Sequence, residues 1–190
     1  MDEIETQLPG VVILEPRVFK DARGYFTETW NERTLKDLGI DVKFVQDNES
    51  FSLYGVVRGL HFQKGDATQA KLVRVIQGEV LDVALDVRAG SPTFGQHVAV
   101  RLSGENHRQL FIPRGFAHGF AVLSPTATFT YKCDNFYLPQ ADGGILASDP
   151  DIGIDWLIPP EDRIYSDKDA KAPTWKTYCA NPVFHLDDFA

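Results

Sequence analysis

The stretch "AKLVRVIQGEVLDVALDVR", residues 70–88, decides the fold class. Val73 and Val75 alternate with Leu72, Arg74 and Ile76, and beyond Gln77-Gly78 the residues Leu81, Val83, Leu85 and Val87 share one face. A pleated strand points successive side chains to opposite faces, so this two-residue period reads as strand, glycine turn, strand. The plan recurs in "HVAVRL" (97–102), "SGEN" (103–106) and "RQLFIP" (108–113), and "GFAVL" (119–123) and "TATFTYKC" (126–133) add two strands around Pro125. Helical signals are few. "NERTLKDLG" (31–39) offers a short helix with Asn31 as N-cap and Gly39 as stop. Ser166 stands three residues before Asp169 in "SDKDA", the spacing of a capping box.

Many short strands with Gly and Pro turns predict an all-β fold, a jelly-roll barrel or sandwich with a few short peripheral helices. The core is expected over residues 11–135, and the Pro- and Asp-rich remainder, 136–190, is expected to wrap it as loops and short helices. The chain has 190 residues and neither a repeat nor a linker, so a single domain over 1–190 is expected. A hydrophobic fraction of 43% and an aromatic fraction of 12% are enough for a packed core. The formal net charge of -8 argues against nucleic-acid and anionic-membrane partners, though not against a local basic cleft for a small anion. Cys133 and Cys179 form no metal or redox spacing. The acidic start "MDEIETQLPG" lacks a signal pattern and no apolar run reaches spanning length, so a soluble cytoplasmic protein is expected.

Chemistry centres on "VVRGLHFQKG", residues 56–65. A metal reading of His61 needs clustered ligands, yet Gln63 stands where a His-x-His pair would have its second histidine. Of the other histidines, His97, His107, His118 and His185, only His118 lies in a comparable Gly-rich, apolar setting. No metal is therefore expected. A general-base reading needs a carboxylate to orient the imidazole, an acid to return the proton and a cation for the developing charge. Arg58 and Lys71 are cations beside apolar strand residues, Tyr131 ends an alternating run, and Asp82 is a charge inside "EVLDVALDV". Each also has a plain reading: His61 as a satisfied core histidine, Asp82 on a solvent-facing side, Tyr131 as a strand aromatic, Asp169 as a helix cap, Arg23 as a turn residue beside Gly24. Composition and period leave that choice open.

Seven segments carry a more specific signal. In order they are "DARGYFTE", "QDNESFSLYGVVRGLHFQ", "QAKLVRVIQGEVLDVALDVRAGSPTFG", "RQLFIPRGFAHGF", "YKCDNFYLP", "DPDIGIDW" and "SDKDAKAP". Together they resemble the nucleotide-sugar epimerases typified by dTDP-4-dehydrorhamnose 3,5-epimerase. The resemblance implies a cupin-type jelly roll, usually a homodimer, working without metal or organic cofactor on a dTDP-linked 4-keto-6-deoxyhexose. It implies His61 as base, Asp169 as its carboxylate partner, Tyr131 as proton donor, Lys71 beside the C4 oxygen and Asp82 as a supporting carboxylate. It places Arg23, Arg58 and Lys168 at the diphosphate and Glu28, Gln46 and Asn48 at the nucleoside and sugar. Tyr137 and Phe26 fall on the thymine and His118 near the sugar. The segment with Arg23, Phe26 and Glu28 is implied to reach across the dimer. Asp142 departs from the family, which commonly has Glu there, and this shortens the reach of that nucleotide contact.

Three other readings compete. An epimerase of one carbon would keep His61 and Lys71 and differ in how the acid is placed. A non-catalytic sugar-nucleotide binding module would be expected to lose His61, Lys71 or Tyr131. A metal-dependent cupin would need the His-x-His partner that Gln63 replaces.

Overall fold

The computed structural model describes residues 1–189. Two antiparallel sheets carry the architecture. In spatial order, the six-stranded sheet holds β1 (Asp2–Glu5), β2 (Val12–Glu15), β11 (Gln109–Ile112), β7 (Lys71–Gln77), β13 (Thr126–Cys133) and β5 (Gln46–Leu53). The five-stranded sheet holds β10 (His97–Ser103), β8 (Glu79–Asp86), β12 (Phe116–Val122), β6 (Val57–Gln63) and β14 (Asp142–Gly144). β3 (Val18–Asp21) and β4 (Gly24–Thr27) form a separate hairpin, and β9 (Arg88–Ala89) pairs with β15 (Phe184–His185).

The alternation seen in the sequence becomes a buried layer between the sheets. Val73, Val75, Leu110 and Phe129 of one sheet pack against Val80, Ala84, Val98 and Phe120 of the other. Each large apolar side chain so buried contributes about 1.5–3 kcal/mol. The result is a cupin-like sandwich of jelly-roll type whose two sheets do not close into a barrel. The turn at Gly78 is a corner rather than a hairpin, because β7 and β8 lie in different sheets. Its φ of 84° and a Cβ that would stand 2.1 Å from the Thr126 carbonyl oxygen admit only glycine.

The outer face of the five-stranded sheet is covered, and that of the six-stranded sheet is covered in part, around β2, β11 and Leu72 of β7. Leu81, Val83 and Leu85 of β8 lie under Ile145, Ile152, Trp156 and Tyr178 of the C-terminal segment. Trp156 donates its indole N–H to the Ala147 carbonyl at 2.8 Å, and the Tyr178 hydroxyl donates to the Val87 carbonyl at 2.7 Å. Over the six-stranded sheet, helix α1 (Glu32–Asp37) sets Leu35 against Val12, Leu14 and Phe111. Asn31 caps it by accepting from Arg33 and Thr34 N–H groups, as its sequence predicts. A second helix, α2 (Trp175–Ala180), is capped by Thr174. No helix among the described residues is long and apolar enough to cross a membrane.

Candidate active site

The site starts from an irregularity in β6. Opposite β12, His118 pairs with His61 and Phe120 with Arg58, so three steps on β6 answer two on β12. Residues three apart on a regular strand face opposite ways. The extra residue of this bulge turns both Arg58 and His61 into the sandwich. Gly59 makes room for it: its φ is 124°, and a Cβ would stand 2.7 Å from the Gly119 Cα. A Cβ on Gly119 would in turn meet the Arg58 carbonyl oxygen at 2.6 Å.

Arg58 and His61 line a cavity of about 340 Å³ with Asn48, Lys71, His118 and Tyr131. That size falls among small-ligand sites, roughly 300–1,000 Å³. Its walls come from different sheets, with His61 and His118 on the five-stranded one and Lys71 and Tyr131 on the six-stranded one. Chemistry presented from both sides can therefore meet a flat substrate on its two faces.

Asp169 stands behind His61 at the start of a one-turn 3-10 helix, Asp169–Lys171. Its Oδ1 lies 2.6 Å from His61 Nε2, and its Oδ2 accepts the Gly59 N–H at 3.3 Å. Burial pushes the Asp169 pKa up, but the His61 bond and charge and the Gly59 N–H outweigh it and hold the carboxyl below its ordinary value. An ionised Asp169 needs a proton on Nε2, which leaves Nδ1 with the lone pair. His61 Nδ1 makes no hydrogen bond among the described residues. The Ser166 hydroxyl accepts the Asp169 N–H at 3.1 Å, so the capping contact exists in the backbone while the side chain serves His61.

A second pair lies next to it. His118 Nε2 is 2.9 Å from Asp82 Oδ2, and both side chains are buried. Asp82 thus does not face solvent, correcting the plain reading of its strand position. Both faces of β8 are covered, and Asp82 shares the inner one with Val80 and Ala84. Burial lowers the His118 pKa more than Asp82 raises it, and Lys71 and His61 add to the lowering. Burial likewise pulls Lys71 below the ordinary lysine value, against the charges of Asp82 and Asp142 among others. Burial raises Tyr131, so its phenol keeps its proton at neutral pH. The Lys71 ammonium stands 5.7 Å from the centre of the Tyr131 ring.

The remaining residues named from the sequence divide into two groups. Gln46 and Asn48 are joined by a 3.0 Å hydrogen bond, and Gln46 also accepts the Tyr137 N–H at 3.0 Å. Tyr137 is exposed above them. Asp142 is bonded by Lys168 and lies 3.4 Å from Gln63 Nε2. Asp142, Lys168 and Asp169 line a second cavity of about 450 Å³ that shares His61 with the first. The hairpin group lies elsewhere. Arg23 is 90% exposed and bonds its neighbour Asp21, Phe26 is 70% exposed, and Glu28 accepts from Asn31 at 3.1 Å. None of the three lines either cavity of its own chain.

Sequence reasoning passed over Ser50, Ser52, Gly119, Phe120 and Cys133. Ser52 accepts from Arg58 Nε at 3.1 Å, and Cys133 is raised to about 11 by burial, so its thiol is inert at neutral pH. The alternation of "QDNESFSL" carries the signal for both serines. Among the described residues, no three His, Cys, Asp or Glu side chains gather to hold a metal ion.

Comparison with known proteins converges on one group. Residues 5–177 match the family described as dTDP-4-dehydrorhamnose 3,5-epimerase. The dTDP-4-dehydrorhamnose 3,5-epimerase of Methanothermobacter thermautotrophicus is 53% identical over 182 residues, covering 95% of this chain and 96% of that one. Its counterpart from Salmonella typhimurium is 55% identical over 171 residues, covering 90% and 93%. The crystal structure of dTDP-6-deoxy-D-glucose-3,5-epimerase from Legionella pneumophila in complex with dTDP-4-keto-L-rhamnose superposes with a TM-score of 0.92. It is 48% identical and covers 97% of each chain.

Proposed function

The chain belongs to the dTDP-4-dehydrorhamnose 3,5-epimerase family, and from that premise we propose how its own residues divide the reaction. The activity is isomerisation in dTDP-L-rhamnose biosynthesis: dTDP-4-dehydro-6-deoxy-D-glucose is inverted at C3 and C5 to dTDP-4-dehydro-L-rhamnose. The C4 ketone acidifies the hydrogens on both neighbouring carbons, because loss of either gives an enolate.

His61 Nδ1 takes the proton, and Asp169, bonded to Nε2, holds the tautomer and steadies the imidazolium that forms. Lys71 stabilises the enolate oxygen. Tyr131 returns a proton from the other wall, and that inverts the carbon. The observation that carries this reading is the 2.6 Å His61–Asp169 contact across a cavity from Lys71 and Tyr131, with base and acid on opposed sheets. His118 and Asp82 support the sugar-facing wall. Arg58 and Lys168 suit diphosphate oxygens. Gln46, Asn48, Tyr137 and Asp142 suit the nucleoside.

The hairpin residues Arg23, Phe26 and Glu28 need a second copy to meet a site. We assign them to the partner's cavity in a homodimer with segment exchange. Support comes from the exposed Phe19, Tyr25 and Phe26 on the hairpin, and from Phe51 and Leu53 exposed on edge strand β5. A doubly charged nucleotide sugar does not cross a bilayer unaided, which supports a cytoplasmic location.

The test is turnover of dTDP-4-keto-6-deoxyglucose in deuterated water, read by NMR. Deuterium at both C3 and C5 is expected. Label at C3 alone would move the assignment to a single-carbon epimerase, and no label would end it.

A further inference from the structure

The inner face of β5 is a polar ladder. Gln46, Asn48, Ser50 and Ser52 alternate inward, while Asp47, Glu49, Phe51 and Leu53 point out. Three rungs have protein partners. Gln46 bonds Asn48 and the Tyr137 N–H, Asn48 Nδ2 approaches Cys133 Sγ at 3.8 Å, and Ser52 accepts from Arg58. Ser50 has none among the described residues, although its Oγ is buried. It sits opposite Phe129, whose ring stacks on Phe120 at 4.1 Å, so its surroundings in the sheet are apolar. Yet it lines the cavity that holds His61, Lys71 and Tyr131. A buried hydroxyl without a partner costs free energy that a ligand group can recover.

We propose that Ser50 is a specificity-determining residue that hydrogen-bonds the C2 hydroxyl of the hexose. This rests on the epimerase reading above. In that substrate C1 carries the diphosphate, C3 and C5 invert, C4 is the ketone and C6 is a methyl. The C2 hydroxyl is the one free hydroxyl whose configuration survives the reaction, so a grip that lasts through both inversions belongs there. A serine hydroxyl both donates and accepts and suits a sugar hydroxyl in either sense.

The experiment compares wild type, Ser50→Ala and Ser50→Thr on the natural substrate and on its 2-deoxy and 3-deoxy analogues. Ser50→Ala is expected to raise KM about 10- to 100-fold with little change in kcat. Its melting temperature should not fall, because no bond within the protein is lost. Ser50→Thr keeps the hydroxyl and should recover much of the KM. The 2-deoxy analogue should cost wild type a similar factor and Ser50→Ala almost nothing more. Losses that multiply independently, an unchanged KM in Ser50→Ala, or non-additivity with the 3-deoxy analogue alone would each overturn the assignment. Deuterium exchange by wild type on the natural substrate separates the two readings. Exchange at C3 and C5 with an indifferent Ser50→Ala removes only this inference, whereas no exchange removes its premise.

Discussion

Two histidine–aspartate pairs stand side by side, with His61 and His118 directly opposed on neighbouring strands. In chemical formula they are the same. The His61–Asp169 pair is 34% and 6% exposed, and the His118–Asp82 pair 7% and 0%. Their origins also differ. His118 and Asp82 lie on adjacent strands of one sheet, whereas Asp169 comes to His61 from the wrapping segment, 108 residues away. A buried imidazole held on its own sheet is fixed and uncharged, and it serves as wall. An imidazole that keeps a free nitrogen in a cavity, with a carboxylate on the far nitrogen, is equipped to move a proton. Both carboxylates meet Nε2, so access to the other nitrogen separates the two pairs, not the pairing itself.

The sharpest way to break this contrast is to remove each histidine and follow deuterium incorporation. His61→Asn should lower kcat about 10²- to 10⁴-fold, the range for loss of a general base. His118→Asn should fall much less. Equal losses in two equally stable variants would erase the distinction.

Stability should show the reverse order. His118→Asn leaves the Asp82 carboxyl buried without its donor and should cost about 1–3 kcal/mol in urea unfolding. His61→Asn, at a partly open position, should cost less. A His61 variant less stable than the His118 variant would mean that the outer pair is the structural one.

The smallest effect is in the pH dependence, where the pairs leave separate marks. The folded His118 has a lowered pKa, so only the unfolded chain takes its proton as pH falls below the ordinary imidazole value of about 6.5. Stability therefore declines with acid from that pH down to the folded value. Asp169 is also lowered, but as a carboxyl. Its contribution is intact above about 3.9 and is lost as pH falls through its folded value. Urea midpoints against pH should lose the upper slope in His118→Asn and the lower slope in Asp169→Asn. The same Asp169→Asn variant should lower kcat by about 10²-fold. A His118→Asn profile that kept the upper slope would show that this imidazole is not the group responsible.

The inner pair also marks where the sequence stops being legible. Alternation in 70–88 gives the strands and the side that Val73, Val75 and Leu81 take. It cannot say what covers the other side. Asp82 reads as solvent-facing only while the Trp156 segment, far along the chain, is left out. The capping spacing of Ser166 and Asp169 is real, yet nothing local reports that Asp169 turns to a histidine 108 residues back. The bulge at Gly59 is similarly hidden, because Arg58 and His61 share a cavity only through the extra residue. The site assignments came from ordered resemblance, and their placement by long-range contacts. What local pattern did hold, beyond the named Gln46 and Asn48, is the continuation of their inward row to Ser50 and Ser52.

The distance between His61 and Asp169 along the chain has a consequence in time. A ribosome moving at roughly 5–20 residues per second makes His61 about 5–20 s before Asp169. Through that interval the strands of the five-stranded sheet can pair while Leu81, Val83 and Leu85 still lack the cover that Ile152 and Trp156 later provide. The nascent chain thus carries an uncovered apolar surface and an imidazole without its orienting group. One late segment ends both conditions, covering the apolar face and bringing Asp169 to His61 in a single stage of synthesis.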